Sequence, residues 1–303
     1  MDAVISPYHL TTREAPALVA LLLCDRAVTL MPLPRSGLRG DAESLALSAP
    51  RYARVVDSWR WTIPLWNEGV LQSGNNGHEP GDDVRAVHHE IFENPAWAAL
   101  RPVIESALAD EPADSIEALA HDLLRGGPNP ALCIPVAAGL DRFASRHGLF
   151  VARSTAASLS QKFEEDSGRV LGGITIPVIL QGRGERLVDA RRVLEPELAD
   201  LRSAFASLAA DDGRERLREA GAAYRSAFER RRDEFEEPEE DEIRVIVGEA
   251  SVRLIEMSCD AALCASERAS RLLLRNVKVE PQGGLVAVAG RTVSLVVRVI
   301  GRS

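Results

Sequence analysis

AVISPYHLTTREAPALVALLLCDRAVTLMPLP, residues 3–34, carries the reading that decides the fold. Ala3–Ile5 is short and β-favouring. Thr12 is placed to cap a helix, and Pro16 falls in its first turn, where the missing N–H costs little. The apolar run that follows leads into AVTLMPLP, a strand stopped by Pro32 and Pro34. Strand, helix, strand in this order places two parallel strands side by side.

Working outward, the alternation continues. YARVVDSWRWTIPLWNEGVL (52–71) is helical up to Trp61 and interrupted at Pro64, and QSGNNGHEPGDD (72–83) is a loop by composition. Val84, Val87 and Ile91, then Ile116, Leu119 and Leu123, recur at helical spacing. ALCIPVAAG (131–139) reads as a buried strand and LDRFASRHG (140–148) as a short helix. LFVARS (149–154) is a strand, 155–168 a helix and GGITIPVIL (172–180) a strand. Between Glu185 and Phe235 the pattern is helical on both sides of Asp211–Gly213. Leu198, Leu201, Phe205 and Leu208 precede the turn; Leu217, Ala220, Tyr224 and Ala227 follow it. That is an antiparallel helical hairpin, with Pro196 tolerable only at a helix start or a kink. The period then changes to alternation, with turns at PQGG and AGR.

The chain therefore divides into a mixed α/β part over 1–183, the hairpin over 184–236, an acidic connector over 237–242 and a β-rich segment over 243–303. That last segment either completes the first sheet or stands apart. The fold class is α+β or α/β, an N-terminal mixed sheet with flanking helices.

Composition narrows the function. Hydrophobic residues are 46% and charged residues 27%, ordinary for a folded protein with a substantial core. The net charge of −9, with 34 arginines and two lysines scattered among acids, predicts no nucleic-acid or anionic-lipid partner. The run Ala15–Cys24 is far shorter than the roughly 20 apolar residues that span a bilayer. Leu23 stands before Cys24 where a lipoprotein signal needs a small residue. Four cysteines, Cys24, Cys133, Cys259 and Cys264, are too few for a disulfide scaffold. They read as buried thiols of a soluble, cytoplasmic protein. Cys259 and Cys264 are five apart, which on a helix turns them away from each other.

Four places invite chemistry. Gly182, Arg183, Gly184 and Arg186 form a strand-to-helix turn whose N–H groups suit an anion, though the third glycine of a dinucleotide fingerprint is replaced by Leu187. His89 and Glu93 stand at i,i+4 and, with His78, form a candidate metal set, without the zinc-protease spacing. Tyr52, Trp59, Trp61 and Trp66 read as core anchors because Val55, Val56, Ile63 and Leu65 lie among them. Lys162, on a polar helix flank, reads as a surface residue. The motifs of serine hydrolases, kinases and P-loop proteins are absent, and no particular cofactor is implied.

Two functions follow. The first is an interaction or assembly protein, a homo-oligomer or a binder of a protein partner, using Phe205, Leu217, Tyr224 and Phe228 of the hairpin. The second is a small-molecule or phosphate-binding enzyme using the Gly182–Arg186 turn.

Overall fold

Strands β1 (Asp2–Ile5) and β2 (Arg26–Thr29) pair in parallel, from Asp2↔Arg26 to Ile5↔Thr29, as the opening pattern requires. They belong to a computed structural model that describes residues 1–30, 50–73, 80–93, 115–125, 130–154, 169–179, 183–234, 240–249, 253–259, 277–278 and 287–288. The connection holds two helices. In α1 (Pro7–Thr12) the Ser6 hydroxyl caps the start by accepting from the Tyr8 N–H. Thr12, read as the cap, is instead its last residue. Arg13 then adopts the left-handed region, φ 55°, and turns the chain into α2 (Ala15–Leu23), with Pro16 in its first turn.

Five further strands complete the sheet: β3 (Leu71–Gln72), β4 (Phe150–Ser154), β5 (Arg169–Ile179), β6 (Glu240–Glu249) and β7 (Arg253–Cys259). The order is β3-β2-β1-β4-β7-β6-β5. The first five of these are mutually parallel, while β6 runs antiparallel to both β7 and β5. A parallel α/β core thus grades into an antiparallel ribbon, and among the described residues β5 forms the outer edge.

All nine residues of α2 are buried, as expected of a helix that is apolar all round. Burial leaves its last carbonyls without water, and two arginines from far along the chain replace it. Arg191 donates to the carbonyls of Leu21 (2.9 Å), Leu22 (2.9 Å) and Cys24 (2.6 Å), and Arg202 to that of Leu23 (3.4 Å). Asp25 (Oδ1, 3.0 Å) and Glu195 balance the Arg202 charge. The Cys24 thiol beside them is wholly buried, which pushes its pKa up to about 12.

On the other side of the α1 turn, α3 (Pro50–Ser58), a 3-10 turn (Arg60–Thr62) and α4 (Ile63–Asn67) deliver Trp59 and Trp61 to the core. The Trp59 indole N–H donates to Thr11 Oγ1 at 2.8 Å. Helix α6 (Ser115–Arg125) packs on α3, and α5 (Pro80–Glu93) packs on α7 (Pro130–His147). At that second contact the buried Asp83 carboxylate meets Arg146 (3.2 Å) and Arg142 (3.5 Å).

Four sequence readings change. Residues 131–148, read as a strand and a short helix, are one helix, α7, in which Pro135 forfeits one backbone bond. Leu132, Val136, Leu140 and Phe143 form its buried stripe, so the period is helical through the supposed strand. The first arm of the hairpin is two helices, α8 (Gly184–Val193) and α9 (Glu195–Ala206), because Pro196 starts a new helix. Residues 240–242, placed in the acidic connector, begin β6, because Pro177, Val178 and Ile179 of β5 lie opposite them. Of the segment 243–303, β6 and β7 are in the sheet. Beyond Cys259 the described residues are only the paired 277–278 and 287–288, so the β-rich reading extends no further. Lys162 and Cys264 lie outside the described residues.

Candidate interaction groove

The second arm of the hairpin is α10 (Gly213–Arg230). Its buried stripe, Leu217, Gly221, Tyr224, Ala227 and Phe228, packs onto β5 and α9. The fit is close: a Cβ at Gly221 would overlap the Ile174 side chain of β5. All four residues proposed for an interface are therefore turned inward. Phe205, Leu217, Tyr224 and Phe228 are each at most 3% exposed.

The neighbouring stripe of α10 is different. Arg214, Arg218, Ala222, Arg225, Ser226 and Glu229 recur within about 120° of helix surface at 100° per residue. With Gly172, Gly173, Ile174 and Thr175 of β5 they line an open groove of about 670 Å³. Two glycines open its floor beside Ile174 and Thr175, and three arginines dominate its wall.

Side chains from α10 also reach the outer edge of β5. Arg214 Nε donates to the Leu171 carbonyl (3.1 Å), Arg225 Nη2 to that of Thr175 (3.2 Å) and the Tyr224 hydroxyl to that of Pro177 (3.1 Å). Tyr224 is fully buried, and desolvation raises its pKa. Arg218 pairs with Glu215 one turn away, both exposed.

The other candidates are placed as follows. Gly184 is buried at the start of α8, where a Cβ would overlap the Trp61 carbonyl oxygen. The turn is packed on the chain's own backbone. Arg183 is exposed, Arg186 half-buried, and Gly182 lies outside the described residues. His89 Nδ1 and Glu93 Oε1 form an exposed pair at 3.4 Å, and His78 lies outside the described residues. Neighbouring His88 is half-buried, and desolvation followed by the His89 charge lowers its pKa. Among the described residues no group of three or more His, Cys, Asp or Glu could hold a metal ion, and no helix is long and apolar enough to cross a membrane.

Sequence reasoning missed the arginine stripe. Its signal was present: arginines at 214, 218 and 225 share one helical face with Ala222, beside the apolar stripe. Compared with protein-family models, curated proteins and solved structures, the chain matches none.

Proposed function

We propose that the protein is an interaction module that binds an extended segment of another protein along the groove between β5 and α10. The observation that carries this reading is the groove itself, an open channel beside a sheet edge, walled by polar side chains of a rigid helix. Sheet edges and helix-lined grooves are recurrent seats for extended peptides. The buried stripe of the hairpin is spent on its own sheet, so the exposed stripe is the one left to meet a partner.

Selection of a random displayed-peptide library on the protein tests this, with Ala222→Trp as counter-target. Ala222 is exposed, so the indole fills the groove with little effect on folding. Peptides enriched on the parent and lost on the variant are the expected result. No enrichment, or enrichment that survives the filled groove, overturns the reading.

A second reading, small-molecule binding, is favoured by the strand order. Consecutive strands step from β1 to β2 to β3, and the chain then returns to the other side of β1 with β4. Open α/β sheets hold ligands beyond the carboxyl ends of their strands at such a reversal. Ser6 follows β1, Thr29 ends β2 and Ser73 follows β3, all buried at that end. A metabolite that raises the melting temperature of the parent but not of Ser6→Ala or Thr29→Val supports it. Equal shifts in all three, or none across a broad panel, remove it.

A further inference from the structure

We propose that the edge of β5 over Leu171–Thr175 is a strand-addition site for an acidic segment of a partner protein, admitted by Arg214, Arg218 and Arg225. This rests on the groove reading and names its occupant. In an ordinary sheet the outer carbonyls of an edge strand face water or another strand. Here three of them face side chains of α10 instead. The far end is closed for good: Pro177 has no N–H, and its carbonyl is bound by the buried Tyr224. The near end is closed only by Arg214 and Arg225, whose bonds to the Leu171 and Thr175 carbonyls are exposed to solvent. Strand alternation puts Gly173, which is exposed, on the same edge between them.

What displaces a guanidinium from a neutral carbonyl is a carboxylate. The bond to a carbonyl is charged on the donor side only, whereas a carboxylate adds the second charge and can take the guanidinium fork bidentately. A neutral or basic strand gives Arg214 and Arg225 nothing better than the carbonyls they bind, and gives Arg218 nothing better than its Glu215 ion pair, so the edge stays shut. An acidic strand draws the arginines onto its carboxylates, and the freed Leu171 and Thr175 carbonyls then accept its backbone N–H groups. The groove wall carries three arginines and one glutamate, Glu229, in a chain of net charge −9. A second copy of the chain docking edge to edge would set arginine against arginine, which excludes self-pairing here.

The spacing is compatible. Leu171 to Thr175 spans about 13 Å of strand at ~3.3 Å per residue. Arg214 to Arg225 spans about 16 Å of helix at ~1.5 Å per residue. Alternate side chains of an added strand face α10, so the acids belong at every second position.

Fluorescence anisotropy with short labelled peptides is the test: alternating Glu/Thr, alternating Lys/Thr and alternating Ser/Thr. The targets are the parent, Arg218→Glu and Gly173→Pro, each checked for folding by circular dichroism and melting. The Glu/Thr peptide should bind the parent and the Lys/Thr peptide should not. Arg218→Glu should weaken binding by about tenfold or more, and Gly173→Pro, which removes the outer N–H, should abolish it. Equal binding of the Ser/Thr peptide sinks the acidic occupant while leaving the groove reading intact. Glu/Thr binding indifferent to Gly173→Pro sinks strand addition. If no acidic peptide binds while library-selected peptides still need an open groove, this proposal alone fails. If those peptides do not need it, both fail.

Discussion

Gly184 shows why single residues were the hardest part of the sequence to read. A glycine in a strand-to-helix turn is needed equally where a phosphate approaches and where the chain's own backbone does; both demand the missing Cβ. Here the neighbour is the Trp61 carbonyl, and only the long-range fold could say so. Gly184→Ala should therefore cost about 2–3 kcal/mol, because a backbone oxygen cannot swing aside. Gly221→Ala should cost less: it meets the end of the Ile174 side chain, and alanine returns up to about 1 kcal/mol of helix propensity. Urea titration of both variants checks the ranking. Burial of Cys24 and Tyr224 makes the fold less stable in alkali. Both pKa values are raised in the folded state, from 9.0 to about 12 for Cys24 and upward from 10.0 for Tyr224. Above about pH 9 the unfolded chain releases these protons and the folded chain keeps them, so stability falls as pH rises. Urea midpoints from pH 7.5 to about 10.5 should decline, and Cys24→Ala should start lower but decline less steeply.

Elements were legible where one period ran uninterrupted between clear stops. The β-α-β opening, α6, β4, β5 and the turn at the tip of the hairpin all follow from local pattern, because capping and alternation are local physics. Helix α7 was misread because Leu132–Val136 is a short apolar run around a proline, and such a run has no period of its own. The hairpin stripe was visible, but not what covers it: an apolar face looks the same whether it meets its own sheet or another protein. The partners of the α2 carbonyls were invisible too, since Arg191 stands among several arginines of similar setting. Its role predicts a large effect. Arg191→Met strips three close hydrogen bonds from buried carbonyls and should cost at least about 3 kcal/mol. Arg191→Lys should rescue part of it: all three bonds leave from one nitrogen, Nη1, and an ammonium also carries three donors, but the bond of Nη2 to the Asp25 carbonyl is lost. Hydrogen exchange of the α2 amides, compared with global urea stability, reads both.

At the scale of the whole molecule, strand order is set by contacts distant in sequence, and no local pattern announces that β7 enters beside β4 or that β5 ends at the rim. The rim needs protection from edge-to-edge pairing, and arginine side chains provide it. Replacing both Arg214 and Arg225 with alanine should uncover the Leu171 and Thr175 carbonyls and produce self-association that rises with protein concentration. The parent chain should not associate through this edge. Light scattering across a dilution series separates the two. The two buried arginines carry a different consequence, one of timing. Helix α2 emerges from the ribosome with its last carbonyls unanswered, and Arg191, the first residue able to answer them, follows Leu21 by 170 positions. At about 5–20 residues per second that is a wait of roughly 10–35 s. Throughout it a wholly apolar helix, buried in the finished fold, is synthesised but lacks the side chain that completes its C-terminal end.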